Sequence, residues 1–132
     1  MIRTRFPPEP NGYLHLGHAK SIYYNFGYPF DSTLPHECYL RFDDTNPKTE
    51  KQEYVDSMLE DIKWFGYVPN KITYTSDYFS EIYTFTLQLI KEGLAYVDLS
   101  SPEEIKRMRN EKIESPYREK EMEWHMEHFE KM

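Results

Sequence analysis

The sequence predicts an α/β fold whose sheet is parallel. Short segments that alternate apolar and polar residues are separated by longer segments whose apolar residues recur every three or four positions. Glycine, proline, aspartate and asparagine stand at the junctions between these segments. Strands that alternate with helices pair in parallel, because each helix returns the chain to the same end of the sheet.

The first predicted strand and helix lie at the N-terminus. Residues 1–6 alternate as a strand does, and two prolines then end the strand because proline cannot donate to a ladder. A helix is expected to begin near Gly17 and to end at Gly27, and residues 28–37 are a predicted loop. The apolar stripe of this helix consists of Ile22, Tyr23 and Phe26.

Three later segments predict the other strands. Residues 38–42 and 72–74 are mainly apolar or aromatic and are bounded by polar turn residues, and residues 94–97 are expected to form a fourth short strand. The resulting alternation of strands and helices is typical of a sheet with substantial parallel pairing.

Two amphipathic helices separate these strands. One is expected to be capped by Thr49 and closed by Gly66, and the other to begin at Ser76 or Asp77 and to end before Gly93. The residues predicted to face the core are Val55, Met58, Leu59, Ile62 and Phe65 in the first helix, and Ile82, Phe85, Leu89 and Ile90 in the second. The spacing of Tyr23, Tyr24 and Trp64 also fits a core face, so they are expected to pack in the core or between helices and not to stack on bases.

The character of the sequence changes after Asp98. Ser101, followed by proline and two glutamates, predicts the start of a charged helix that ends near residue 111, and a further helix is expected over residues 119–131. Residues 1–98 are therefore predicted to form the sheet domain, and residues 99–132 the helical beginning of a second domain.

Composition narrows the class of protein. The formal net charge of -7 argues against a general polyanion binder, although a local phosphate site needs only a few cations. The single cysteine, Cys38, excludes an intramolecular disulfide and a multi-cysteine zinc site, and it favours a reducing compartment. No apolar run approaches the roughly 20 residues of a membrane span. A cytoplasmic protein without a membrane partner is expected.

No protein-bound metal is predicted. His125 and His128 lie three residues apart with Glu121 nearby, a spacing that can bind zinc, but a third well-placed ligand is missing. A solvated helix face is the favoured interpretation.

The junction between the first strand and helix is the candidate nucleotide site. In a doubly wound sheet this turn lies at the carboxyl edge, where a helix N-terminus favours phosphate. The P-loop and G-x-G-x-x-G patterns are both absent. On a helix, His15 and His18 would share a face and could donate hydrogen bonds to phosphate oxygens as charge builds up at phosphorus. The alternative is that one histidine caps or packs while the other faces solvent.

Asp43 is a second candidate. An acidic residue at the carboxyl end of a strand is well placed to pair with an ammonium group. The alternative is that residues 43–46 form a polar turn that caps the next helix, a structural role to which Asp44 is assigned.

These residues carry a family resemblance. The segment from Arg5 to Asn25 resembles the signature segment of class I aminoacyl-tRNA synthetases, with HLGH at residues 15–18 where HIGH is usual. Residues 8–22, PEPNGYLHLGHAKSI, are similar to the glutaminyl-tRNA synthetases in particular. The further motifs, in the order expected of that family, are LRFDDTNP at 40–47, TYTSDYF at 73–79, GLAYVD at 93–98 and SPYRE at 115–119.

The resemblance implies an ATP-dependent reaction in two steps. The carboxylate of glutamine would attack the α-phosphorus of ATP, supplied as its Mg²⁺ complex, and tRNA(Gln) would then take the aminoacyl group on its terminal ribose hydroxyl. His15 and His18 would be catalytic, and Asp43 and Arg5 would lie in the amino-acid pocket, with Asp43 holding the α-ammonium. The implied ATP site consists of Glu9, Pro10, Asn11, His15, Leu16, Gly17, His18, Ala19, Lys20 and Ser21.

The resemblance also implies that the chain corresponds to part of such an enzyme. Residues 1–98 would be the first half of a Rossmann-like catalytic domain, and residues 99–132 the start of the helical insertion that binds the acceptor stem. A KMSKS-like loop and an anticodon-binding region are missing, so the chain alone is expected to be inactive or very weak. An exposed sheet edge would favour the pairing of two copies.

Three other interpretations stay open. The glutamyl branch shares FDDTNP but usually carries Ala-Ser where this chain has Pro10 and Asn11, so a glutamyl or non-discriminating enzyme is one alternative. A stand-alone module that binds ATP without turnover is another. A small nucleotidyltransferase ranks last, because it gives no reason for the segments PEPNG and FDDTNP.

Overall fold

Three parallel strands organise the N-terminal part of the chain. The computed structural model describes residues 1–27 and 34–132, so most of the predicted loop over 28–37 lies outside the described residues. Strands β1 (Ile2–Phe6), β2 (His36–Phe42) and β3 (Lys71–Tyr74) pair in that order, and both pairs are parallel. The predicted α/β fold with a parallel sheet is confirmed.

One face of this sheet carries the core. Helix α1 (Leu16–Ile22), a π-helical turn over Tyr23–Gly27 and helix α2 (Gln52–Trp64) pack on it. Side chains alternate between the faces of a strand, so every second residue of β2 joins this core. The buried cluster consists of Phe6, Ile22, Phe26, Cys38, Leu40, Phe42, Val55, Met58 and Ile62.

The opposite face of the sheet is polar. Arg3 and Arg5 point away from the core because they alternate with Phe6. Arg3 donates from Nε to the Glu37 carboxylate at 2.8 Å. Tyr39 and Arg41 of β2 lie on the same face as these arginines. In the strand register, Tyr39 pairs with Arg5 of β1, and Arg41 pairs with Thr73 of β3.

The start of α2 differs from the prediction. Thr49 does not cap the helix, because its backbone N–H and its hydroxyl both donate to the Asn46 carbonyl and close a turn before the helix. The N-cap residue is Lys51, whose backbone N–H donates to the Pro10 carbonyl at 3.2 Å. The loop after β1 is thereby tied to α2. The predicted end of the helix is confirmed by the positive φ of Gly66.

Several aromatic residues predicted to face the core are exposed. The π-helical turn changes the phase of the helix, so Phe26 and Gly27 are buried while Tyr23 and Tyr24 pack edge to face at the surface. Trp64 at the end of α2 is 81% exposed, and Phe65 is also exposed. Periodicity identifies residues that share a face, but it does not say where the core ends.

Helices dominate the C-terminal part of the chain. The chain divides into two compact units, of which the first is Met1–Phe79 and the second is Ser80–Met132. A 3₁₀ turn over Ser76–Tyr78 precedes the helices, which are α3 (Phe79–Lys91), α4 (Pro102–Glu111) and α5 (Met122–Glu130). The predicted domain boundary after Asp98 stays a prediction. The predicted cap of α4 is confirmed, since Ser101 and Glu104 form a reciprocal capping box.

The predicted strand over residues 94–97 is wrong. Gly93 adopts a positive φ, and the Leu94 N–H donates to the Leu89 carbonyl, which closes the end of α3. The Val97 N–H then donates to Nδ1 of His125 at 3.2 Å instead of to a neighbouring strand. A side chain of α5 therefore replaces the predicted strand pairing.

Two predicted environments in the second unit are also wrong. Ile90 of α3 is buried, whereas Ile82, Phe85 and Leu89 are exposed, Phe85 by 62%. Conversely, His125 does not lie on a solvated face, since it is 4% exposed and is held through the Val97 N–H. In both cases the partner of the helix face, and not its periodicity, decides burial.

Candidate functional site

A cleft of about 460 Å³ opens after β1, where the chain turns into α1. Five of the predicted site residues lie together on its walls, and Phe6, Pro7 and Pro8 complete the lining. Glu9 accepts a hydrogen bond from Nδ2 of Asn11 at 2.7 Å, which links two of the polar walls. The five predicted residues on the walls are Glu9, Asn11, His15, His18 and Ser21.

The other predicted ATP-site residues stand behind or beside the cleft. Pro10 is buried and lines a separate depression with Asp44 and Lys51. Lys20 is exposed, with Nζ 5.9 Å from the centre of the Tyr24 ring. The remaining three, which are not on the cleft walls, are Leu16, Gly17 and Ala19.

The two histidines form a reciprocal cap at the start of α1. His15 is the N-cap residue, and its Nδ1 accepts from the Gly17 N–H at 3.1 Å. His18, three residues later, accepts from the His15 N–H through its own Nδ1, also at 3.1 Å. The ring centres lie 4.0 Å apart. The backbone geometry of a capping box thus holds two imidazoles side by side on the cleft wall.

The cap also fixes the tautomer of both rings. A backbone N–H can only donate, so Nδ1 of each ring must carry a lone pair. In the neutral imidazole the proton therefore sits on Nε2, which takes no part in the cap. The predicted capping role and the predicted donation to phosphate are thus compatible, because they use different nitrogens of the same ring.

The pKa of His18 lies below its ordinary value. Burial disfavours the charged ring, and the neighbouring His15 adds a smaller unfavourable charge interaction. A lowered pKa keeps the ring neutral at pH 7, which preserves both the Nδ1 acceptor and the Nε2 donor.

This shift predicts a pH-dependent loss of stability on the acid side. As the pH falls below 6.5, the unfolded chain binds a proton at His18 before the folded chain does, so the free energy of unfolding falls until the pH passes the folded pKa. Denaturant unfolding between pH 7.5 and 5 should show a smaller decrease in the free energy of unfolding for His18→Asn than for the unchanged protein. Equal acid losses in the two proteins would contradict the shift.

Gly17 permits the close approach of the His15 ring. A Cβ at residue 17 would lie 2.9 Å from Cε1 and 3.1 Å from Nδ1 of His15, so the ring would have to shift to make room for it. This contact explains the glycine between the two histidines without reference to φ.

We expect Gly17→Ala to displace the His15 ring and to break its bond to the backbone N–H. The loss of this cap should lower the free energy of unfolding by about 0.5 to 2 kcal/mol, partly offset by the higher helix propensity of alanine. Chemical denaturation can measure the change. Ala19→Gly, in the same helix, serves as a control for propensity alone. A Gly17→Ala protein that is stabilised by as much as Ala19→Gly is destabilised would rule out the clash.

Asp43 lies at the same edge of the sheet, directly after β2. Its carboxylate Oδ1 accepts from the Thr75 hydroxyl at 2.8 Å and lies 3.3 Å from Nε of Arg41. Asp44 does not cap α2, the next helix in the chain; its carboxylate instead accepts from the N–H and the hydroxyl of Ser76 in the 3₁₀ turn after β3. Arg5 is exposed on the polar face of β1.

Sequence reasoning missed Thr75 and Arg41. Thr75 follows β3 as Asp43 follows β2, and the last residues of those strands, Phe42 and Tyr74, are register partners. Thr75 and Asp43 therefore occupy equivalent locations after neighbouring parallel strands, and this equivalence could have identified Thr75 from the sequence.

Two further findings concern metal ions and membranes. Among the described residues, no group of three or more His, Cys, Asp or Glu side chains is arranged to hold a metal ion. No helix in the described part of the chain is both long enough and apolar enough to cross a membrane.

Comparison with known proteins decides the family. A family model described as "tRNA synthetases class I (E and Q), catalytic domain" matches residues 1–132. The chain belongs to this family. The resemblance drawn from the motifs is thereby confirmed across its full length.

Class I synthetase relatives are similar in sequence and in structure. A glutamine–tRNA ligase of Lupinus luteus is 51% identical over 131 residues, and one of Buchnera aphidicola is 54% identical over 138 residues. Both matches cover 99% of this chain. A crystal structure of a glutamate–tRNA synthetase from Elizabethkingia anophelis is 27% identical over 83% of this chain, with a TM-score of 0.64.

This chain matches only part of each relative. It spans 16% of the Lupinus ligase and 24% of the Buchnera ligase. It also covers 24% of the Elizabethkingia structure.

Proposed function

We propose that the gene product activates glutamine with ATP and transfers it to tRNA(Gln). The observation that carries this proposal is the pair of imidazoles, His15 and His18, held by the reciprocal cap on one cleft wall with Nε2 left outside the cap. Relatives named glutamine–tRNA ligase at about half identity support glutamine as the amino acid.

In the proposed activation step, the glutamine carboxylate attacks the α-phosphorus of ATP and pyrophosphate leaves. Negative charge builds on the phosphoryl oxygens during the displacement. The Nε2–H donors of His15 and His18 would therefore stabilise the transition state more strongly than they stabilise the ground state. Glu9, Asn11 and Ser21 would form the polar wall around the nucleotide. Gly17 would act through the His15 ring that it allows to approach.

The outer members of the proposed ATP site have supporting roles. Pro10 would brace the loop through its carbonyl, which accepts from Lys51. Lys20 would supply a cation for the phosphates, and Leu16 and Ala19 would pack beside the nucleotide. The Mg²⁺ that accompanies ATP would neutralise phosphate charge, with ATP oxygens as its ligands.

The proposed amino-acid pocket uses Asp43 and Arg5. The Asp43 carboxylate would pair with the α-ammonium of glutamine at the carboxyl edge of the sheet. Arg5, one residue before the end of β1, would face the amino acid from the polar side of the sheet. Both assignments follow the family motif.

Partners and location follow from the same proposal. The helical segment that begins after residue 98 would belong to the part that binds the tRNA acceptor stem, and the protein would act in the cytoplasm, as a relative named cytoplasmic glutamine–tRNA ligase does. β1 and β3 are the edge strands of the described sheet, and two copies of the isolated chain would pair through such an edge. Sedimentation of the isolated chain as a monomer at all concentrations would contradict that pairing.

The test is glutamine-dependent exchange of pyrophosphate into ATP, measured on the complete gene product in the presence of tRNA(Gln). Glutamine should support exchange and charging, and glutamate should not, because the pocket must distinguish a neutral amide from a charge. Exchange with glutamate would place the protein in the glutamyl branch. ATP binding without exchange for either amino acid would favour a module without turnover.

A further inference from the structure

Three strand ends are tied together beside the candidate site. The Asp43 N–H donates to the Pro8 carbonyl at 3.0 Å, which joins the segment after β2 to the loop after β1. The Thr75 N–H donates to the Phe42 carbonyl, also at 3.0 Å, which joins the segment after β3 to the end of β2. The backbone that carries Asp43 and Thr75 is therefore fixed before their side chains meet.

The Thr75 hydroxyl stands between a cation and an anion. Thr75 is 5% exposed, and its Oγ1 lies 3.0 Å from Nε of Arg41 and 2.8 Å from Oδ1 of Asp43. Arginine can only donate, so the hydroxyl accepts from Arg41. Its single proton is then directed to Asp43, and the order of donation is fixed as arginine, threonine, aspartate.

This arrangement treats the two oxygens of Asp43 differently. Oδ1 receives the Thr75 hydroxyl and lies 3.3 Å from Arg41 Nε. Oδ2 accepts no hydrogen bond from any residue in the described ranges 1–27 and 34–132. The Asp43 side chain is 37% exposed, so the carboxylate is open to a ligand.

We propose that Thr75 is a positioning residue that keeps Oδ2 of Asp43 available for the ammonium group of the amino-acid substrate. An arginine and a carboxylate side by side tend to form a bidentate pair that uses both oxygens. The Thr75 hydroxyl occupies the Arg41 Nε–H and one carboxylate oxygen, so it disfavours the side-on pair in which Nε–H is one of the two donors. The inference rests on the proposed function, in which Asp43 holds the ammonium.

The test compares Thr75→Val with Thr75→Ser in the complete gene product by glutamine-dependent pyrophosphate exchange. Valine keeps the buried volume but removes the hydroxyl, so KM for glutamine should rise by about 10- to 100-fold, while KM for ATP should change by less than about twofold. Serine keeps the hydroxyl and should restore KM to within about threefold. Ser76→Ala is the matched control, since the Ser76 hydroxyl bonds to Asp44 and should leave KM for glutamine unchanged.

A second readout separates positioning from a general structural role. The probe is 4-carbamoylbutanoate, which is glutamine without its ammonium group, used as an inhibitor of exchange. Because it gives Asp43 nothing to hold, it should inhibit the unchanged protein and Thr75→Val equally. If Thr75→Val folds poorly, Thr75→Ala carries the same expectation, and KM and inhibition constants do not depend on the fraction that is folded.

The possible results distinguish this inference from the proposed function. An unchanged KM for glutamine in Thr75→Val, an equal rise in KM for ATP, or weaker inhibition by 4-carbamoylbutanoate would overturn the role of Thr75. In each of those cases the unchanged protein still exchanges with glutamine. If the unchanged protein shows no exchange with glutamine, the proposed function itself fails.

Discussion

Changing His18 to asparagine is expected to slow glutamine activation by about 10- to 1,000-fold without loosening the start of α1. Asparagine Oδ1 takes the place of Nδ1 in the ring, so it can still accept from the His15 N–H. No donor replaces Nε2–H. Single-turnover formation of glutaminyl-adenylate by the complete gene product measures the effect on the chemical step.

His18→Gln is the reciprocal control. Glutamine can extend an N–H donor to the location of Nε2, but it leaves the cap without the Nδ1 acceptor. It should therefore retain more of the chemical rate than asparagine does and lose more stability. The same pair of substitutions at His15 should behave alike. A loss that appears only as weaker ATP binding, with adenylate formation at its normal rate, would remove the histidines from the catalytic role.

Of the substitutions considered for stability, Phe42→Ala is expected to cause the largest loss, about 3 to 5 kcal/mol in the free energy of unfolding. Phe42 is 0% exposed on the central strand, and its ring stacks on Tyr74 with the centres 5.3 Å apart. Its truncation removes a large buried surface and leaves a cavity directly beneath the strand ends that carry Asp43 and Thr75. Urea unfolding of the chain measures the change.

Trp64→Ala provides the matched comparison, because it removes an even larger ring from an exposed location. Trp64 contacts the Phe65 ring edge to face but is 81% exposed, so the loss should stay within about 0.5 kcal/mol. Losses of similar size for the two substitutions would contradict the assignment of the core to one face of the sheet.

Local patterns predicted the three strands of the sheet and the main helices. The alternation in β1 and the short aromatic segment of β2 depend on which side of a sheet is buried, and both are visible in a few residues. The capping box of Ser101 and Glu104 was also visible, because all of its partners lie within one helical turn.

The failures concern partners that are distant in the sequence. Residues 94–97 have the composition of a strand, but the partner of Val97 is the side chain of His125 in another helix. The apolar residues of α3 that include Phe85 recur with helical spacing, but the spacing does not show whether another element packs on that face. Thr49 is the exception, because its partner is local: its N–H and hydroxyl donate to the Asn46 carbonyl in the turn before α2.

In the candidate site, too, local contacts were predictable and distant contacts were not. The histidines were identified from their spacing and from their location after a strand, since His15 and His18 interact within one turn of helix. The division of labour between Nδ1 and Nε2 required the hydrogen bonds themselves. Thr75 reaches Asp43 from the end of the neighbouring strand, and only the expected alignment of the two strand ends, not a local pattern, pointed to that contact.

The tautomers of His15 and His18 can be read directly by long-range ¹H–¹⁵N NMR of the imidazole nitrogens at pH 7.5. The chain contains five histidines, and single His→Asn variants assign each signal. His128 is an internal reference, because its Nδ1 lies 2.8 Å from the Trp124 carbonyl and must carry the proton to donate to it. Both site histidines should show an unprotonated Nδ1 and a protonated Nε2, opposite to His128. A proton on Nδ1 of either ring would contradict the reciprocal cap and the donors that it leaves for phosphate.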